Sequence, residues 1–145
     1  MKHKNVALAA RLHGQARART KYNSRKMVVN GITFDSQKEA ARYQELLLLQ
    51  QAGKIRNLRL QPQFTLMEGF KDALTGETIR PIRYIADFQY EEHRKIVWAD
   101  PDGGEDKITW EWWPVVEDVK GKKTADYENK RKMMLDKFGI RISET

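Results

Sequence analysis

The sequence predicts an α/β protein in which a mixed sheet is flanked by two helices. Two observations carry this expectation. Two segments, one after Ser36 and one after Thr124, combine good helix formers with a capping residue in front and a glycine behind. Around and between them, apolar residues recur at every second position in short stretches, the period of a half-buried strand. With 145 residues the chain falls within the usual size of one domain and can support a single layered core.

Each element has a local reason. Asn30-Gly31, between Met27-Val28-Val29 and Ile32-Thr33-Phe34, signals a hairpin because both turn positions require positive φ. Ser36 followed by Glu39 fits a capping box, "EAARYQELLLLQQA" continues in helix formers, and Gly53 supplies the stop. Strand-like stretches follow at 55–60 and 64–67, with Pro62 between them. "ETIRPIRYIADFQYEE" alternates, which predicts Tyr84, Ala86, Phe88 and Tyr90 on one face and Ile85, Asp87 and Gln89 on the other. Residues 115–120 form a further strand. Thr124 caps a second helix in which Tyr127, Arg131, Met134, Leu135 and Phe138 share a stripe, and Gly139 ends it before "IRIS". The folded body is expected over 27–145, behind a basic, flexible arm at 1–26.

Residues 91–114 depart from this economy. They hold all four tryptophans and seven acids against three bases, with "DPDGGED" as a turn. The segment reads as an inserted hairpin running from "KIVWA" to "KITWEWW". Its aromatic rings could stack on unpaired bases. An acidic tip repels phosphate, so packing onto the core or a subunit contact is the expectation, and a homodimer stays open.

The net charge of +7 is concentrated at one end. Before Asp35 there are eight Lys and Arg and no acid, which leaves 19 basic against 20 acidic residues in the rest. A basic arm on a near-neutral body finds phosphate readily, because neutralising a polyanion releases its counterions. Arg17, Arg19, Lys21, Arg25 and Lys26 are the candidate contacts, and DNA the expected partner; a solvated tail is the plainer account. The absence of Cys excludes a disulfide scaffold and thiolate metal sites. Apolar runs such as Leu46–Leu49 are far too short to span a membrane, and the N-terminus lacks the pattern of a signal peptide. A soluble, cytoplasmic protein without a membrane partner is expected.

"WPVVEDVKGKKT" places charge where a buried strand should continue. Asp118 and Lys120 are two apart, so on a strand they share a face, with Val119 and Glu117 on the other. A carboxylate beside an ammonium suits phosphodiester hydrolysis: the carboxylate binds a hard cation, and the lysine assists water or offsets charge on the phosphorane. The acid-x-Lys triplet is weak alone, since Glu105-Asp106-Lys107 and Glu128-Asn129-Lys130 repeat it in a turn and a helix. Asp87, a polar position in an apolar strand, is the natural second carboxylate; an ion pair with Lys120 or Arg83 would explain it equally. Glu39 is the third, although the capping box already accounts for it. Glu117 is left out unless a bulge reverses the register.

A helical Glu in "FDSQKEAARYQELL", an Asp in "YIADF" and the pair in "VEDVKG", in that order, resemble the PD-(D/E)xK nuclease superfamily. More narrowly, the chain resembles small phage-encoded proteins, a domain of unknown function, that share "FDSxxEAxRYxEL", "LQPxF", "YxADF" and "EDVKG". The similarity runs from about Tyr22 to the C-terminus, interrupted by 91–114. It implies a restriction-endonuclease-like αβββαβ core, with Glu39, Asp87 and Asp118 holding Mg²⁺ or Mn²⁺ and Lys120 assisting the attacking water. Thr124, Lys130 and Arg131 become candidate phosphate contacts near the second helix, beside their plainer roles as cap and solvated face. The implied function is a metal-dependent DNA endonuclease in phage recombination or DNA processing, acting in the host cytoplasm. Two competing expectations are a non-catalytic DNA-binding protein using the basic arm, and an interaction module using the tryptophan hairpin.

Overall fold

A computed structural model describes residues 25–145 except Gly121. In chain order the elements are β1 (Met27–Val29), β2 (Ile32–Phe34), α1 (Gln37–Gln51), β3 (Ile55–Leu60), β4 (Gln63–Met67), β5 (Phe70–Lys71), β6 (Thr78–Ile79), β7 (Ile82–Ile85), β8 (Phe88–Trp98), β9 (Lys107–Asp118), α2 (Ala125–Phe138) and β10 (Ser143–Glu144). The main sheet has the order β10-β9-β8-β3; β10 runs parallel to β9 and the other pairs are antiparallel, so the sheet is mixed. With the helices, its elements follow the chain as α1-β3-β8-β9-α2-β10. The pairs β1-β2, β4-β7 and β5-β6 form separate two-stranded sheets.

The local signals act as expected. Asn30 and Gly31 have φ of 51° and 77° and close the β1-β2 hairpin. The Ser36 hydroxyl accepts the Glu39 N–H and starts α1. At its end the Gly53 N–H donates to Gln50 O and the Lys54 N–H to Leu49 O, a Schellman closure that needs the left-handed φ of 71° at Gly53. A Cβ there would meet no neighbour, so only backbone strain opposes a side chain. Gly53→Ala is therefore expected to lower stability by about 1–2 kcal/mol in urea denaturation, and Gly53→Asn by less. Thr124 and Gly139 perform the same two tasks for α2, the hydroxyl accepting the Tyr127 N–H and Gly139 adopting φ 67°. The stripe of α2 is narrower than the periodicity suggests. Tyr127 and Met134 are buried, whereas Leu135 and Phe138 remain partly exposed, Phe138 leaning on the ring of Phe64 at 5.7 Å.

Each face of the sheet has its own core. Ala40, Tyr43 and Leu46 of α1 pack with Ile55, Phe88, Tyr90 and Val115. Tyr127 and Met134 of α2 pack with Leu66, Tyr84, Ala86 and Val116. Val115 and Val116 are neighbours on β9 and so point to opposite faces. This division corrects one expectation: Tyr84 and Ala86 do not share a face with Phe88 and Tyr90. The chain changes partner between them, leaving β4 and joining β9, and the strand breaks at Ala86-Asp87. There Ala86 N–H donates to Pro62 O, Asp87 N–H to Glu117 O, and Asp87 O accepts from Gln61. The strict alternation thus crosses from one core to the other.

Residues 91–114 do form a hairpin, as the outward continuation of β8 and β9 in unbroken register from Phe88↔Glu117 to Trp98↔Lys107. Three of the four tryptophans do not pack onto the core, Trp98, Trp110 and Trp113 being 54%, 61% and 47% exposed, while Trp112 is half-buried against Arg56 and His93. The two strands outrun β3 and β10, so among the described residues no further strand pairs with their ends. Among the described residues no helix is long and apolar enough to cross a membrane.

Candidate functional site

β9 ends in two buried acids, Glu117 at 0% and Asp118 at 2% exposure, on opposite faces. Burying a carboxylate requires a partner for its charge, and the two acids find different ones. Glu117 turns toward α1. Arg42 clamps it in a fork, Nε to Oε1 at 2.7 Å and Nη2 to Oε2 at 3.0 Å. The Tyr90 hydroxyl adds 2.6 Å and the Thr145 hydroxyl 3.2 Å. Glu117 pushes the Arg42 pKa up, and burial followed by the Glu117 bond does the same for Tyr90. Val119 packs on this same side. Glu117 therefore holds α1 to the sheet.

Asp118 turns toward α2. Its Oδ2 accepts the hydroxyl proton of Tyr84 and lies 2.9 Å from Lys120 Nζ. Burial, then the Asp118 bond, push the Tyr84 pKa well above the ordinary phenol range. The strand stops at Asp118, yet Lys120 stays beside it. Its N–H donates to Thr145 O at 3.1 Å, and its ammonium sits 4.3 Å over the Tyr127 ring. Asp87 reaches the site from the β7-β8 break, where its Oδ2 accepts the Val119 N–H at 2.6 Å. Burial, then the neighbouring Asp118 carboxyl, push its pKa up to about 8, against the pull of that amide. Glu39, in the first turn of α1, lines a cavity of about 110 Å³ together with Asp87, Gln61 and Phe34. Its pKa is raised by burial and then by Asp35, with Asp118 adding to the rise and Lys120 opposing it.

Glu39, Asp87, Asp118 and Lys120 thus lie within electrostatic reach of one another. The ion pair offered as a plainer account of Asp87 does not form; Lys120 is bonded to Asp118 instead. The carboxylate oxygens are the donor type a hard divalent cation takes, and the raised Asp87 reflects burial first and the Asp118 carboxyl beside it second. The set is incomplete as arranged. Among the described residues no group of three or more His, Cys, Asp or Glu side chains is grouped to hold a metal ion, and Asp118 Oδ2 is occupied by Tyr84 and Lys120.

The candidate phosphate contacts divide into three groups. Arg17, Arg19 and Lys21 lie outside the described residues. Arg25 and Lys26 are exposed in front of β1. Thr124 serves as the α2 cap, Lys130 lies 3.2 Å from Asp126, and Arg131 2.8 Å from Glu128, exposed pairs that hold these side chains only weakly. Sequence reasoning missed Tyr84 and Arg42. Both read as ordinary members of regular elements, and nothing short of the strand break and the β9 register reveals which acid each one meets.

The fold and site define a mixed α/β protein whose central strand ends in a buried acid–lysine pair with a second carboxyl beside it. A family model described as a protein of unknown function, DUF1064, matches residues 19–142, and the chain belongs to that family. No curated protein and no solved structure matches the chain.

Proposed function

We propose that the protein is a metal-dependent DNA endonuclease with a restriction-endonuclease-like core, cleaving phosphodiester bonds by activated water. The observation that carries this reading is the Asp118–Lys120 pair beside Asp87 at the end of the central strands. The order α1-β3-β8-β9-α2-β10 supports it, being the αβββαβ sequence the PD-(D/E)xK resemblance implies. Asp118 and Asp87, with Glu39 beside them, would hold Mg²⁺ or Mn²⁺, which supplies charge neutralisation and a more acidic bound water. Lys120 offers its ammonium to the charge that develops on the phosphorane. Tyr84 fixes the rotamer of Asp118 through its hydroxyl. A role in phage recombination or DNA processing follows from the resemblance.

The test is an assay of plasmid, single-stranded and branched DNA with Mg²⁺, Mn²⁺ or EDTA. Cleavage that needs the cation is expected. Binding of all three without cleavage would favour the non-catalytic reading, in which the basic arm does the work.

That arm yields a separate prediction. Removing residues 1–21 takes away six of its eight positive charges and none of the site. The truncated chain is expected to fold and to cleave at low salt, with weaker affinity. Each phosphate contact contributes a slope of about −0.9 in log K against log salt on duplex DNA, so loss of three or four contacts would flatten the slope by about that number of units. Equal slopes with and without the arm would identify it as a solvated tail.

A further inference from the structure

Among the described residues the β8-β9 pair runs on alone beyond His93, whose N–H donates to Lys54 O, since β3 pairs with β8 only as far as Glu92 and β10 meets β9 only at Glu117 and Asp118. Side chains alternate along a strand, so this two-stranded ribbon has two faces. On one, His93, Lys95 and Val97 stand opposite Trp112, Trp110 and Ile108. On the other lie Glu92, Arg94 and Glu111 with Trp98 and Trp113. The acid excess of the segment is therefore sorted in space. From His93 to Val97 and from Ile108 to Trp112 the first face carries no carboxylate, and the tip acids belong to the loop at 99–106. The nearest acid on that face, Glu91, is already bonded to Arg56 at 2.8 Å. The rings are arranged as a strip: His93 lies 5.2 Å from Trp110 and 4.7 Å from Trp112, and the Arg56 guanidinium sits 4.3 Å over Trp112.

We propose that this face of the ribbon binds single-stranded DNA, with an unpaired base stacked on the exposed ring of Trp110 beside His93 and a phosphate met by Lys95. Every base has a π-face, so an exposed aromatic strip takes bases without regard to sequence, and flanking cations track the backbone. Charge complementarity selects the occupant. With Arg56 and Glu91 neutralising each other, the face keeps the charge of Lys95 and attracts phosphate, whereas a second copy docked through the same face in a two-fold contact would bring the Lys95 charges of both copies together. The choice of DNA rests on the nuclease reading above, but stacking requires no cleavage.

The experiment is equilibrium binding of a labelled oligothymidine to the full chain in EDTA, followed by anisotropy and tryptophan quenching. Trp110→Ala is expected to weaken binding roughly 5- to 100-fold. Lys95→Gln should flatten the salt slope by about 0.7, and Trp98→Ala, on the opposite face, should change nothing. Trp110 is 61% exposed, so its removal leaves the core intact, and circular dichroism of each variant checks this. Wild-type affinity in Trp110→Ala, or an equal loss in Trp98→Ala, overturns the proposal. So does a dimer in sedimentation that Trp110→Ala dissociates with oligothymidine affinity unchanged, which would identify a second copy as the occupant. The expected losses in a protein that cleaves no DNA would leave the proposal standing and remove only the nuclease reading; no binding at all by the wild type removes the proposal itself.

Discussion

Arg42→Ala is expected to destabilise the fold by about 3–5 kcal/mol, the usual cost of leaving one partner of a buried ion pair alone. Glu117 is fully buried, and Arg42 supplies both arms of the fork that neutralises it. The Tyr90 and Thr145 hydroxyls remain in the variant, but neither carries charge. Glu117 must then either stay ionised without a cation or take up a proton, and both choices cost stability. The pair also joins α1 to the end of β9, so the loss should appear in global unfolding rather than in local fraying. Urea denaturation at neutral pH measures it. A double variant, Arg42→Met with Glu117→Leu, is expected to recover much of the loss, since apolar replacement of both partners removes the uncompensated charge. A loss below about 1 kcal/mol in Arg42→Ala would show the pair to be no more than a surface contact.

Asp118→Asn is expected to leave no detectable DNA cleavage while DNA binding persists. The substitution keeps the shape of the side chain and one oxygen for the Tyr84 hydroxyl, so the packing against α2 has little reason to change. What it removes is the charge that faces Lys120 and would anchor the cation. Binding should hold or tighten, because one carboxylate near the phosphates is gone. Lys120→Met is expected to lose two to three orders of magnitude in rate, the range seen when one preorganised electrostatic group is removed from a transition state. It keeps the aliphatic stem and loses the ammonium that now rests on Asp118 Oδ2 and over the Tyr127 ring. Circular dichroism and binding of the same DNA separate loss of chemistry from loss of fold. Near-wild-type cleavage by both variants would dismiss the site.

The two predictions turn on adjacent residues of one strand, Glu117 and Asp118, and the contrast shows where sequence reasoning reaches its limit. The turn at Asn30-Gly31, the caps at Ser36 and Thr124 and the stops at Gly53 and Gly139 are set by φ and by hydrogen bonds to near neighbours, so the residues themselves announce them. The placing of Glu117 apart from Asp118 and Lys120 is legible for a similar reason, since a two-residue period assigns faces without knowledge of what covers them. The basic arm and the near-neutral body are a matter of counting.

What packs on each face is decided elsewhere. Tyr84 and Ala86 alternate in register with Phe88 and Tyr90, yet the strand breaks at Asp87 when it exchanges β4 for β9, and only that exchange puts the Tyr84 hydroxyl on Asp118. Arg42 is one more polar residue of a helix until the β9 register sets Glu117 beneath it. Composition reads 91–114 as an acidic segment, but the pairing of β8 with β9 sends Glu92 and Glu111 to one face and leaves Trp110, Trp112 and Lys95 on the other. The sequence by itself determined the first hairpin, the two helices with their caps and stops, and the order of the charged residues, because these depend on local backbone geometry. The tertiary structure decided which acid is structural, which faces Lys120 and where the aromatic rings lie exposed, because those depend on strand partners and on how far each neighbouring strand extends.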